Sequence, residues 1–181
     1  VDKEIGVNQQ YMYYTSSRSG AYIFRPHGDA RDLMDGSGEY RIISVCKGGP
    51  VVEVVHLFDG VVRQTAKVLK VRGVLSKVVQ MLTSTTASMN NEVVTRFTTD
   101  LTTNNKFYTD NSADFRERTQ KHGSIASNFY PMNTAGALKE GEKQITFLNR
   151  QPMGCASLKH GSKESSFEIM LHRQLRMDDG R

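Results

Sequence analysis

The sequence has 181 residues, enough for one domain or slightly more, and a domain of this size buries roughly 70% of its unfolded surface. Hydrophobic residues make up 38% of it, and no segment approaches the ~20 apolar residues of a membrane-spanning helix, so we expect no membrane partner. Lys and Arg number 24 against 19 Asp and Glu, a net charge of +5, but they are spread along the chain without a phosphate-tracking run or a nucleic-acid-binding motif. We therefore expect no nucleic-acid partner.

The chain reads as a series of short strands. Two β-branched runs, Ser44–Cys46 and Val51–Phe58, are separated by a turn signal, and the hairpin-type dipeptide Asp59-Gly60 precedes a further run over Thr65–Val71. Alternating apolar and polar residues continue the pattern at Val93–Phe97, Gln144–Leu148 and Phe167–Leu171. Half-buried strands at this spacing are typical of a sandwich, so the sequence predicts an all-β fold, a β-sandwich.

The remaining segments are less regular. Gly73–Leu82 fits an amphipathic helix, but its β-branched residues and strand neighbours favour a strand or an irregular crossing. Polar composition predicts loops at Thr83–Asn91, Thr102–Asn105 and Lys159–Ser166.

No self-sufficient active site is visible in the sequence. The histidines are scattered singly, at His27, His56, His122, His160 and His172. A glycosidase needs two carboxylate side chains that flank the same glycosidic bond of the substrate. The adjacent Asp178 and Asp179 would point to opposite faces of an extended segment, so they do not make such a pair. We assign no catalytic residue and no metal ligand to this chain. Whether Cys46 and Cys155 form a disulfide is left open, because their separation in sequence decides nothing.

Five segments, in order, carry a family resemblance. They are Ser19–Pro26 (SGAYIFRP), Glu92–Phe97 (EVVTRF), Lys106–Asp110 (KFYTD), Asn128–Asn133 (NFYPMN), and Glu168–Leu175 (EIMLHRQL) followed by Asp178–Arg181 (DDGR). The set resembles the region behind the catalytic domain of the zinc-dependent, lysosomal-type α-mannosidases of glycoside hydrolase family 38. Departures at Cys155 and Gln174, and a compressed segment between Asp110 and Phe115, indicate a divergent member.

The resemblance implies a parent enzyme that hydrolyses α-linked mannose from glycans with retention of configuration, in the lysosome or another acidic compartment of the secretory pathway. The catalytic residues and the zinc, the expected cofactor, then belong to an N-terminal catalytic domain outside this chain. Residues 1–181 are expected to form a single non-catalytic β-sandwich region, part of the large C-terminal super-sandwich, with an extended lead-in over 1–18 and an incomplete C-terminal end. That region is expected to pack on the catalytic domain and to help wall the sugar pocket.

The resemblance also implies which residues bind the sugar. The basic segment after the KFYTD motif is the expected source of a sugar-binding arginine, with Arg118 first and Arg116 second. A planar guanidinium fork holds hydroxyl or carboxylate groups in fixed geometry. The alternative is a solvated charge beside Glu117. Tyr22 and Phe24 are predicted to share a strand face and fill core.

Arg173 with Asp178 and Asp179 is expected to form an ion network, which we prefer to a sugar-binding role for these residues.

Two alternatives stay open. A free-standing carbohydrate-binding module needs an exposed aromatic platform, but Trp is absent and aromatic residues total only 8%. Unpaired strand edges in an incomplete sandwich would instead favour self-association.

Overall fold

The computed structural model describes residues 4–16, 19–35, 39–58, 60–86, 91–121, 123–160 and 164–175. Within these ranges the regular structure consists of β-strands and short 3-10 turns at Val74–Lys77 and Ala126–Asn128, which confirms the all-β prediction. No helix in the described part of the chain is long and apolar enough to cross a membrane.

The strands are, in chain order, β1 Val7–Thr15, β2 Arg31–Asp32, β3 Tyr40–Cys46, β4 Val51–Phe58, β5 Val62–Leu69, β6 Val79–Thr85, β7 Asn91–Thr99, β8 Lys106–Asp110, β9 Phe115–Thr119, β10 Tyr130–Met132, β11 Ala135–Glu140, β12 Lys143–Leu148, β13 Met153–Ala156, β14 Lys159–His160 and β15 Glu164–Gln174.

The contacts within the chain divide it into two compact units. Unit 1 spans Val1–Arg31 and Met89–Arg181, and unit 2 spans Asp32–Ser88. The proposed lead-in over 1–18 contains β1, a strand of the larger sheet of unit 1. That 1–181 acts as a single region stays a prediction, and the two units are described separately.

Unit 1 is a sandwich of two antiparallel sheets. Its large sheet has the order β10-β13-β15-β7-β1-β2, with β14 also paired to β15, and its small sheet has the order β12-β11-β8-β9. One apolar cluster takes side chains from both sheets, including Phe97 and Phe167 of the large sheet and Phe107 and Phe147 of the small one. The rings of Phe147 and Phe167 stack with centroids 4.5 Å apart, so the two sheets share a single core.

The other face of the large sheet is covered as well. Met12, Tyr14 and Val94 form a second buried cluster, and loop residues Phe24 and Phe129 pack against it. The predicted alternation of β15 is therefore only half right. Its core-facing residues pack as expected, but Glu168 on the opposite face is fully buried too.

Unit 2 is an antiparallel meander in the order β3-β4-β5-β6. Gly60 in the hairpin between β4 and β5 has a φ of 66°, a left-handed conformation that glycine adopts without steric cost. The strand or irregular interpretation of Gly73–Leu82 is confirmed, since a 3-10 turn is followed by β6. Two loop predictions were wrong at both ends because pairing continues there. In the first, Thr83–Thr85 belong to β6 and Asn91 begins β7. In the second, Lys159–His160 form β14, and β15 begins at Glu164.

The two cysteines are both free. Cys46 is exposed in unit 2, whereas Cys155 is buried in the core of unit 1. Burial raises the pKa of the Cys155 thiol to about 12, opposed by the nearby Arg118, so this cysteine is an inert core residue.

Candidate functional site

Arg118 lies on an edge strand of unit 1. Its strand β9 is an edge of the small sheet, and it stands opposite the buried Phe107 in the register of β8 and β9. Its Nε donates to Oγ1 of Thr109 at 3.1 Å, and its guanidinium carbon is 4.6 Å from the ring centroid of Tyr130, on an edge strand of the large sheet. The side chain is thus half-buried and fixed by two contacts.

Arg116 shares the same face of β9 but has different surroundings. Its side chain is 54% exposed, and its Nη2 pairs with Asp114 at 2.8 Å. The structure does not combine the two arginines into one cluster of contacts.

Tyr22 is not a core residue, which corrects the sequence prediction. It is 84% exposed, whereas Phe24 packs edge-on against the rings of Tyr14 and Phe129 at 5.3 and 4.8 Å. Alternation fails here because the chain turns: Gly20 N donates to Ile23 O at 2.9 Å, and Ile23 N donates back to Gly20 O. Gly20 was the signal in the sequence that predicts such a turn.

Arg173 holds this turn through hydrogen bonds to its backbone carbonyl oxygens. Its Nη2 donates to the carbonyl oxygens of Gly20 and Ile23 at 3.0 and 3.1 Å, and its Nη1 lies 3.5 Å from the carbonyl oxygen of Ala21. A guanidinium fork that holds these carbonyls fixes the backbone on both sides of Tyr22. The segment Ser19–Arg25 is called the tyrosine loop below.

Glu92 anchors the guanidinium of Arg173. The Glu92 side chain is completely buried, and its Oε1 accepts from Nε of Arg173 at 2.7 Å while Oε2 accepts from Ser19 Oγ at 3.3 Å. Burial raises the pKa of the Glu92 carboxyl, against the opposing effects of Arg173 and Ser19. The predicted ion network at Arg173 is thus formed with Glu92, and Asp178–Asp179 lie outside the described residues.

A second glutamate–arginine pair links the same two strands. Arg96 stands opposite Glu168 in the register, as Glu92 stands opposite Arg173. Nε of Arg96 donates to Oε1 of Glu168 at 2.6 Å, and the Tyr14 hydroxyl donates to Oε2 at 2.7 Å. Burial, together with the charge of Glu168, raises the pKa of Tyr14 far above its ordinary value. This buried network supports β7 and β15 and has no access to a ligand.

A cavity of about 630 Å³ lies between two loops of unit 1. Phe24, Pro26, Ile125 and Leu158 supply apolar walls, and Arg25 and Lys121 are its basic residues. The second loop is ordered by one amide: Asn128 accepts from the Lys121 amide at 2.6 Å and donates to the carbonyls of Lys121 and Ser124. Asp29 is the one carboxylate among the lining residues that the structure describes, so the cavity lacks the paired carboxylates of a glycosidase.

Nothing in the described ranges resembles a metal centre. No three His, Cys, Asp or Glu side chains of those ranges converge on one point. His122 lies outside the described residues.

Comparison with known proteins identifies the family. Residues 1–181 match the Glycosyl hydrolases family 38 C-terminal domain. The chain belongs to this family. Among its relatives are an α-mannosidase of Canavalia ensiformis (30% identity, 98% of this chain, 20% of the relative), human lysosomal α-mannosidase (30%, 97% and 18%) and human α-mannosidase 2 (27%, 97% and 15%). The chain therefore spans a fifth or less of the curated relatives it matches.

The segments that carried the resemblance meet one another in this family 38 domain. The two glutamate–arginine pairs join the EVVTRF segment to the EIMLHRQL segment. Arg173 of the EIMLHRQL segment also binds the turn in the SGAYIFRP segment. Asp110, which ends the KFYTD segment, accepts from the amides of Asn133, Thr134 and Ala135. The motifs are therefore largely contacts that build unit 1.

Proposed function

We propose that this domain is the non-catalytic C-terminal β region of a retaining, zinc-dependent α-mannosidase that hydrolyses α-linked mannose from glycans. In this proposal it packs on the N-terminal catalytic domain of the same protein and supplies part of the sugar-pocket wall. The family match over the whole chain and the names of the relatives support the activity. The single observation that carries the pocket role is the exposed Tyr22 on a loop whose backbone is held by Arg173.

An exposed tyrosine on a fixed loop suits the binding of a sugar. Its ring offers a flat apolar face and its hydroxyl a hydrogen-bonding group, so one side chain can pack on the apolar face of a pyranose and hydrogen-bond to its hydroxyl groups. Because Arg173 and Ser19 already order the loop, little conformational entropy remains to be lost when a ligand binds. The buried Glu92 behind Arg173 then acts as a positioning residue and not as a catalytic acid.

Arg118 is the second proposed contact with substrate, and Arg116 the third. Stacking on Tyr130 and the bond to Thr109 fix the plane of the Arg118 guanidinium, and only its Nε is used in the bond to Thr109. Its two terminal nitrogens are the groups proposed to reach sugar hydroxyls. Arg116 is more exposed and already paired with Asp114, which makes it the weaker candidate.

The zinc ion and the catalytic carboxylates are proposed to lie in the catalytic domain. Lysosomal enzymes are among the relatives, which supports an acidic compartment of the secretory pathway as the proposed location.

One surface favours a second candidate, a carbohydrate-binding module. Tyr108 and Phe115 stack with centroids 5.9 Å apart on the small sheet, and Phe115 is exposed. However, Nζ of Lys139 is 4.4 Å from the Tyr108 ring centroid, and the Tyr108 hydroxyl donates to Glu117. Because this aromatic pair is occupied by its own neighbours, we favour the mannosidase region.

Hydrolysis of a chromogenic α-mannoside by the full-length parent, with and without a zinc chelator, tests the proposal. Turnover that the chelator abolishes and added zinc restores is expected. A parent that binds mannosides without hydrolysing them would instead support the binding module.

A further inference from the structure

One face of the sheet of unit 2 carries a group of solvent-exposed apolar side chains. Val45, Val54, Ala66 and Met81 lie opposite one another in the register and form one row across β3 to β6. Residues paired in this way project from the same face of an antiparallel sheet. The exposed apolar side chains of this face are Tyr40, Ile42, Val45, Val68, Val79 and Met81, which together we call the apolar face.

The next row of the same sheet, on the opposite face, is polar. It consists of Cys46, Glu53, Lys67 and Gln80, one residue along each strand from the apolar row. Nζ of Lys67 pairs with Glu53 at 2.7 Å, as expected of a solvated row. At these rows the sheet is therefore two-sided, with one side suited to water and the other to a packing partner.

A sheet with exposed apolar rows on one face needs a second layer over those rows. Domains are built from packed layers because the apolar side of a sheet must be buried, and contiguous exposed apolar patches mark contacts with other chains or segments. Here Val45 on the edge strand β3 is 48% exposed and Met81 on the edge strand β6 is 43% exposed. Val54 and Ala66, which lie between them on the two central strands, are only half-buried.

We propose that the apolar face packs against the part of the parent enzyme that lies outside these 181 residues. This inference rests on the proposed function, since it takes the chain to be one region of a larger α-mannosidase. Relatives that match nearly all of this chain are about five times longer, so the proposed parent enzyme would offer abundant further polypeptide. The four side chains of the row carry no charge and no hydrogen-bonding group, which suits an apolar protein layer and not a hydroxyl-rich sugar. The neighbouring row of the same face is polar, with His56, Gln64 and Thr83, so the proposed contact is confined to the apolar rows.

Neighbouring residues of β3 provide a direct test. Cys46 projects from the polar side and Val45 from the apolar side, so thiols at these two positions report on opposite faces. In the folded full-length parent, the native Cys46 is compared with a Val45→Cys, Cys46→Ser variant by maleimide labelling and mass spectrometry. We expect the thiol at position 45 to react at least several-fold more slowly than Cys46, and to become equally reactive in denaturant.

Equal rates at the two positions in the folded parent would overturn the inference, and so would protection of both. Size-exclusion chromatography at the labelling concentration identifies the occupant. In a protected monomer, a cross-linker on the thiol at position 45, mapped by mass spectrometry, is expected to reach a peptide outside residues 1–181. Capture only of unit 1 peptides, or protection found only in a dimer, contradicts the proposal.

A charge placed on each face gives an independent measurement. Met81→Glu is expected to lower the melting temperature or the folded yield of the parent, while Gln80→Glu on the polar side is expected to change neither. Equal effects of the two substitutions would contradict the inference. The same preparations are assayed for α-mannoside hydrolysis: a parent that hydrolyses mannosides but labels equally on both faces refutes the interface alone, and an inactive parent refutes the proposed function.

Discussion

Arg173 places its Nε and Nη2 at 2.7 and 2.6 Å from one carboxylate oxygen of Glu92. The same guanidinium holds the carbonyls of the tyrosine loop from its other side. A fully buried carboxylate and an exposed turn are thus connected through a single side chain. The connection ties the exposure of Tyr22 to the packing of the large sheet.

Removal of Arg173 is expected to cost far more than removal of a surface arginine. Arg173→Ala leaves the buried Glu92 carboxylate without its counter-charge, which typically destabilises a protein by about 3–5 kcal/mol. Arg116→Ala breaks an exposed pair with Asp114 and is expected to cost about 1 kcal/mol or less. Chemical denaturation of both variants measures the difference, and equal losses would contradict the role given to Glu92.

Tyr14 and its neighbour Tyr13 form a matched pair. Tyr14→Phe removes the hydrogen bond to Glu168 inside the second cluster and is expected to lower the free energy of unfolding by about 1.5–3 kcal/mol. Tyr13→Phe removes a hydroxyl on the other face of β1 and is expected to have little effect. Chemical denaturation of the two variants gives their free energies of unfolding. Equal values would contradict a stabilising role for the hydrogen bond between Tyr14 and Glu168.

Gly136 is expected to tolerate no side chain. A Cβ at this position would overlap the ring of Phe167 and lie 2.8 Å from Sδ of Met132, in the shared core of the two sheets. We expect Gly136→Ala to destabilise the domain by about 1–3 kcal/mol through overpacking. At Gly154 a Cβ would meet its neighbours at an ordinary 3.8 Å, so Gly154→Ala is the control, and similar losses in the two variants would count against the packing described.

The contribution of Asp110 to the free energy of unfolding is expected to depend on pH. Desolvation raises the pKa of its carboxyl, but hydrogen bonds from Thr134, Ala135 and Asn133 outweigh this effect and hold the pKa below its ordinary value. The unfolded carboxyl takes up its proton first, at about pH 3.9, so the contribution is complete above that pH and is lost as the pH falls through the lower folded-state pKa.

Wild-type protein should therefore lose its advantage over Asp110→Asn as the pH falls below about 3.9 and passes through the lower folded-state pKa. Denaturation of both proteins over this range measures the advantage. A difference that is independent of pH would show that the carboxylate charge is not what the amides bind.

Strand patterning predicted the fold class because period-two alternation is a local property. Val93–Phe97 and Phe167–Leu171 became strands β7 and β15 as expected. What alternation did not reveal is that both faces of the large sheet are covered. The buried Glu168 looked like a solvent-facing residue because its partner Arg96 is 72 residues away in sequence.

The site was harder to predict than the fold. Tyr22 and Phe24 sit two residues apart, as a strand face requires, and only the turn closed by Gly20 and Ile23 separates an exposed ring from a buried one. Arg173 was expected in an ion network, but its partner Glu92 is 81 residues away. Long-range pairing of this kind depends on sheet register, which single residues do not encode.

Steady-state hydrolysis of a chromogenic α-mannoside by the parent enzyme carrying Tyr22→Ala tests the central proposal most directly. Tyr22 is 84% exposed, so its removal is expected to leave the melting temperature unchanged. If the tyrosine loop walls the sugar pocket, KM rises or kcat/KM falls by about tenfold, a loss of about 1.4 kcal/mol of binding, and Tyr22→Phe retains most of the activity. Unchanged kinetics in a stable Tyr22→Ala enzyme would contradict the proposal that this domain contributes to the sugar pocket through Tyr22.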